Sequence, residues 1–207
     1  DGSVVATLTD APPSAAPEFE GAARIVAVEG GYYPGFAVET DPDGLTEVVR
    51  RAASEGAGWV KLVGDWPRKG RGALPNFDFE QLRTAVEVAH SAGARVAVHT
   101  MAPDVASWAV AAGVDSIEHG LFLTAGDLEV MAARGTAWVP TVLRCEALIE
   151  ALGPDSSGGR LLAAGLDNVA SLLSDLPDGV RVLAGTDLAV PSPEVGREVT
   201  ALVRLGL

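Results

Sequence analysis

The sequence predicts an α/β fold built on a parallel β-sheet, open or closed. Three observations predict it. Short apolar, largely β-branched runs recur along the chain, each bounded by Gly or polar residues, as in strands buried on both faces. The segments between them carry apolar residues at helical spacing. Three of those helical segments stop at a glycine and a strand follows at once, so a βα unit repeats. Such alternation needs crossover connections, and crossovers join parallel strands.

The elements follow in order. Residues 11–20 are rich in Pro and Ala and read as a loop. The first visible strand is 24–28, and Tyr32 and Tyr33 come after it. A helix over 45–57 sets Leu45, Val48, Val49 and Ala52 on one side. The strand 59–63 (WVKLV) leads into a basic loop, 64–75 (GDWPRKGRGALP). A helix over 79–92 aligns Phe79, Leu82, Val86 and Ala89 and ends at Gly93, before the strand 95–99. The helix 104–112 ends at Gly113, before the strand 114–119. The helix 124–134 has Thr124 as N-cap and ends at Gly135, before the strand 137–142. A longer helix covers 161–176, and the last strand is 180–184. No GxGxxG or GxxxxGK[ST] occurs, so a nucleotide-binding open sheet has no support.

Composition bounds the reading. The 207 residues are 48% hydrophobic and 21% charged, enough for a sizeable core in one domain, 1–207. A complete (β/α)8 barrel takes roughly 250 residues, so the chain is short for one. The net charge of −13 repels phosphate backbones and argues against a nucleic-acid partner. No apolar run is long enough to predict a membrane span. The single cysteine, Cys145, excludes an internal disulfide and fits the cytoplasm. The start, Asp1-Gly2-Ser3, has no basic segment or apolar core, as expected of a processed or excised chain. A small-molecule substrate is the expected partner, and a homo-oligomer is compatible with all of this.

Four polar side chains fall within or at the ends of the apolar strands: Lys61, His99, His119 and Asp187. In a barrel those ends converge on one mouth, where catalytic groups sit. A strand-end histidine is often only a satisfied polar residue. Here two of the chain's three histidines end consecutive strands, and neutral imidazole is the commonest side-chain ligand for zinc-type metals. His90, near a helix C-terminus, reads as structural. Lys61 inside an apolar strand needs a partner or a chemical role. It is read as an ion-paired lysine, a metal ligand after modification or a Schiff-base nucleophile. Asp187 follows a Gly-Thr turn and is read as a turn residue or as a ligand and general base. Glu118 is expected on the opposite side of its strand from His119, because side chains alternate. In the basic loop, Arg68 is either solvated or a partner for a substrate carboxylate. Tyr33 and Arg144 are further candidate substrate contacts, with Tyr32 and Thr141 nearby.

The segments WVKLVGD, RVAVHTM, VDSIEHG and VLAGTD, in that order, resemble the amidohydrolase superfamily, in the branch of prolidase-like and imidazolonepropionase-like proteins. The resemblance spans about residue 40 to the end. It implies a (β/α)8 barrel of the TIM type, incomplete at the N-terminus. It also implies hydrolysis of amide, peptide or cyclic amide bonds by a metal-activated hydroxide. One or two divalent metals, Zn2+ by donor type, would be the cofactor. Lys61 would be carbamylated and bridge two metals, His99 and His119 would bind the second, and Asp187 would bind the first and act as base. The chain departs from the family pattern by lacking the first-strand HxH motif and any evident flanking β-sandwich. The alternatives are a non-catalytic barrel that serves as a binding module and a lyase that forms a Schiff base on Lys61.

Overall fold

The computed structural model describes residues 21–55, 58–68, 71–189, 191 and 194–207. The loop expected at 11–20 and Lys69 lie outside these.

The strands β1 (Gly21–Val28), β2 (Val38–Thr40), β3 (Gly58–Val63), β6 (Arg95–Thr100), β7 (Ser116–His119), β8 (Ala137–Val139) and β9 (Arg181–Val182) form one sheet. Its order is β2-β1-β3-β6-β7-β8-β9, and every described pairing in it is parallel. A separate antiparallel hairpin joins β4 (Asp65–Arg68) to β5 (Gly72–Pro75). Among the described residues the sheet does not close, and β2 and β9 are its edges.

The register explains the two faces. Side chains alternate along a strand, and parallel partners point the same way. Val26, Leu62, Val98 and Ile117 align across the sheet, with Val60, Val96 and Trp138 on the same face, and all seven are fully buried. This face takes the helices α1 (Leu45–Ser54), α2 (Phe79–Ser91), α3 (Pro103–Ala112) and α4 (Ala125–Arg134). Ile25, Lys61, Ala97, Glu118 and Val139 belong to the other face and are only half-buried. In a closed barrel that face would look inward.

Local chemistry ends the helices where the sequence predicts. Asp78 with Gln81, and Thr124 with Asp127, form reciprocal capping boxes at the starts of α2 and α4. Gly113 and Gly135 close α3 and α4 with φ of 89° and 74°, a conformation that costs glycine nothing.

The structure also corrects the sequence reading. The strand expected over 137–142 stops at Val139, and α5 (Val142–Leu152) begins where a strand was expected. Pro140 has no N–H for a sheet ladder, and Thr141 turns the chain with φ 51°. The strand expected over 180–184 shortens to β9, although Leu183 N–H still reaches the Trp138 carbonyl at 2.8 Å. Helix α6 (Ser157–Ser174) starts earlier than expected, with Ser156 as its N-cap, whose hydroxyl accepts the Gly159 N–H. The sequence reading missed β2, the hairpin and α7 (Gly196–Leu205).

Cys145 lies inside α5 and is fully buried. Burial pushes its thiol pKa up to about 12. The thiolate is the reactive form, so the native protein should not react with a chromogenic disulfide reagent at pH 8. One equivalent of thiol should appear only on unfolding. Rapid labelling of the native chain would contradict the buried placement.

Candidate functional site

Three strands and the segment after β9 bring their polar groups together toward the C-terminal edge of the sheet. Lys61 comes from β3, His99 from β6, Glu118 and His119 from β7, and Asp187 from beyond β9. Gly64 lets β3 approach β6 at this level. Its N–H donates to the His99 carbonyl at 2.8 Å, and a Cβ there would meet that oxygen at 2.9 Å. The buried Asp65 carboxylate accepts the Met101 and Ala102 N–H groups at 3.0–3.1 Å, anchoring the turn after β6.

The two histidines face each other. His119 Nε2 lies 2.9 Å from His99 Nδ1. The Thr141 hydroxyl gives its proton to the Pro140 carbonyl at 2.7 Å and sits 2.5 Å from His119 Nδ1. Thr141 Oγ1 is therefore an acceptor toward His119, which puts the His119 proton on Nδ1 and a lone pair on Nε2. The Trp138 indole N–H holds the His119 carbonyl at 2.9 Å. Both rings are buried, and burial is the main reason they stay neutral. It takes His99 down to about 3, helped by the Lys61 and Arg144 charges. It also holds His119 well below the ordinary imidazole value, helped by His99 and Lys61.

Glu118 is a correction to the sequence reading. It was expected to point away from the cleft, but its carboxylate lies 3.7 Å from Lys61 Nζ and accepts from the Ser116 hydroxyl at 2.7 Å. Register puts Glu118 beside His99 on the inward face. His119 joins them because its φ of 65° breaks the alternation at the strand's last residue. Nothing in the residue pattern announces a left-handed histidine, although the glycine that follows it is a hint.

Burial lowers the Lys61 amine below its usual range, against the opposing pull of Glu118 and Asp187. Burial likewise raises the Asp187 carboxyl, opposed by Arg144 and Lys61. Arg144 Nε approaches Asp187 at 3.3 Å, and its Nη2 donates to the Tyr33 hydroxyl at 3.4 Å. Arg68 stands apart from this group. Its guanidinium donates to the Gly30 carbonyl and, at 2.8 Å, to Asn76 Oδ1, tying the hairpin to the segment after β1. His90 pairs with Asp115 at 2.9 Å, away from the cleft on α2.

Among the described residues, no group of three or more His, Cys, Asp or Glu side chains is close enough to hold a metal ion. The donor chemistry nevertheless fits one ion in part. Two neutral imidazole nitrogens on one zinc stand roughly 3.3 Å apart, given Zn–N bonds of about 2.0–2.1 Å. The observed 2.9 Å needs to widen by only a few tenths of an ångström. The Thr141 hydroxyl supplies the outer partner that ligating histidines ordinarily have.

Comparisons with known proteins bear on the family and the fold. The model of the Amidohydrolase family matches residues 70–205. An uncharacterised protein of Mycobacterium tuberculosis and one of Mycobacterium bovis are each 37% identical over 197 residues, covering 90% of this chain. The chain spans about half the length of these curated relatives, 52%. Among solved structures, a Xaa-Pro dipeptidase with methionine in its active site is similar, with a TM-score of 0.74 and 25% identity. It covers 93% of this chain and 53% of the dipeptidase. The ochratoxinase of A. niger aligns with a TM-score of 0.73 over 92% of this chain and 51% of its own; at 20% identity this likeness concerns the fold.

Proposed function

The chain belongs to the amidohydrolase family, and from that premise we propose that it carries part of the catalytic centre of a metal-dependent hydrolase. The bonds cleaved would be carbon–nitrogen bonds of peptides, N-acyl amino acids or cyclic amides. The observation that carries this reading is the pairing of His99 Nδ1 with His119 Nε2 beside Lys61 and Asp187.

His99 and His119 would hold a divalent ion, with zinc suited to two imidazoles, and Lys61 would join them as its carbamate. Bound there, the ion would lower the pKa of water and polarise a carbonyl. The chain's own residues supply the rest. Thr141 keeps the His119 lone pair on Nε2. Burial holds the Lys61 amine below its usual range, so it would lose its proton more readily than a free lysine; the neutral amine would then add carbon dioxide, with a C–N bond formed and a second proton released. Asp187, its carboxyl raised above the usual range by burial, would take a proton from the nucleophilic water and pass it to the leaving amine. Arg144 and Tyr33 would receive a substrate carboxylate at the mouth.

Plasma mass spectrometry of the chain grown with added zinc tests the reading. About one equivalent of metal is expected. His119→Ala should lower occupancy at least tenfold, and Lys61→Ala should lower it less. Dipeptides and N-acyl amino acids are the substrates to try first. If the unmodified chain holds no metal, the metallohydrolase reading fails. Borohydride trapping of a carbonyl compound on Lys61 would then favour the lyase.

A further inference from the structure

We infer that the rings of Tyr32, Tyr33, Phe36 and Trp66 form an aromatic wall that selects substrates with a large apolar or aromatic side chain on the carboxylate-bearing residue. This rests on the hydrolase reading of the adjacent site.

The wall is drawn from two separate segments. Tyr32, Tyr33 and Phe36 follow β1, and Trp66 lies on the hairpin that follows β3. Both of the chain's tyrosines are in it. The rings meet edge-on: Tyr32 and Tyr33 at 5.2 Å, each against Trp66 at 4.7 and 4.8 Å, and Tyr33 against Phe36 at 6.3 Å. A cluster made only to pack would hide its rings. Here Tyr33 is 45% and Phe36 69% exposed, leaving an apolar surface uncovered.

Its position gives that surface an occupant. Trp66 and Tyr32 stand 5.6 and 6.4 Å from the His99 ring, so the wall flanks the paired histidines. At its other end the Tyr33 hydroxyl accepts from Arg144, which also faces Asp187. A ligand with its carboxylate at Arg144 and its amide near the histidines would lay the side chain of that residue along the rings. Aromatic faces and edges bind apolar and aromatic groups with preferred geometry. Glycine at the same position would leave the wall in water.

The test is calorimetric titration of the zinc-supplemented chain with N-acetyl-L-phenylalanine, N-acetyl-L-leucine, N-acetyl-L-arginine and N-acetylglycine. The phenylalanine and leucine compounds should bind at least tenfold more tightly than the glycine compound. Trp66→Ala and Phe36→Ser should shrink that gap to under threefold while leaving N-acetylglycine unchanged. Phe36→Ser alters an exposed ring, so it keeps the test open if Trp66→Ala fails to fold. Equal affinity for all four compounds, tightest binding of the arginine compound, or no binding of any would overturn the proposal. A chain that retains metal but shows no preference sinks the wall and leaves the hydrolase reading standing. A chain that prefers the apolar compounds without retaining metal does the reverse.

Discussion

In the absence of any divalent metal, the protein is expected to lose stability steeply as pH falls below 6.5. The cause is His99, which is buried and held at about 3 against an ordinary value of 6.5. Between those values the unfolded chain takes up a proton that the folded chain refuses. The unfolded state therefore binds more protons, so stability rises with pH across the window and is lost on acidification. One imidazole protonated only in the unfolded state costs about 1.4 kcal/mol per pH unit, so His99 alone removes about 2 kcal/mol between pH 6.5 and 5. His119, shifted in the same direction, adds to this. Urea unfolding in the presence of a chelator at pH 7 and at pH 5 would measure the loss. His99→Gln should flatten the slope by about half, because one of two buried imidazoles no longer titrates. An unchanged stability at pH 5 would mean that the rings are reached by water and are not buried bases. Above about pH 7.5 both histidines are neutral in either state, so neither contributes a pH slope there.

Replacing Glu198 by alanine is expected to have a comparable effect by a different route. Glu198 on α7 is fully buried, and its carboxylate accepts the N–H groups of Val142 and Leu143 at 2.6 and 3.0 Å. These are orphan donors at the start of α5, whose own N-cap, Thr141, makes no side-chain cap bond. A carboxylate there meets both the free N–H groups and the positive end of the helix. Removing it leaves two donors unpaired in the interior, a loss of about 3 kcal/mol, while Glu198→Gln should cost about half of that. Thr141, which orients His119, sits at the same turn. Metal affinity should therefore fall about tenfold in Glu198→Ala even where the variant folds. Equal stability of Glu198→Ala and the parent would refute the capping role. A destabilised variant with intact metal affinity would refute only the link from α7 through Thr141 to His119.

Much of the fold was legible in the residues. The strands at 24–28, 59–63 and 95–99 and the helices that stop at Gly113 and Gly135 need only hydrophobic period and backbone chemistry, and they appear in the structure within a few residues of expectation. The elements that escaped are those whose signal is not local. The hairpin of β4 and β5 reads as a basic loop because its strands carry Pro67 and Arg68, and Arg68 is held by the distant Gly30 carbonyl and Asn76. Helix α5 was hidden because its first residue, Val142, reads as the end of the strand expected over 137–142. Only Glu198, more than fifty residues later, supplies the carboxylate that caps its first turn.

The site divides in the same way. Two histidines at the ends of successive strands, a lysine within an apolar strand and an aspartate after the last strand could all be read from position, since a parallel sheet brings strand ends to one edge. The Glu118 side could not. Period-two alternation sends Glu118 and His119 to opposite faces, and the structure brings both into the cleft through one left-handed residue. What the sequence by itself determined is the order of βα units, the helix ends and the identity of the strand-end groups, because these follow from short-range periodicity and capping. The tertiary structure alone decided which nitrogen of His119 carries the proton, that Glu118 faces Lys61, that Arg68 is tied to backbone and Asn76 while Arg144 meets Asp187, and that an aromatic cluster reaches His99 through Tyr32 and Trp66. Each of these depends on a contact between residues far apart in the chain, or on a backbone angle that the final packing selects.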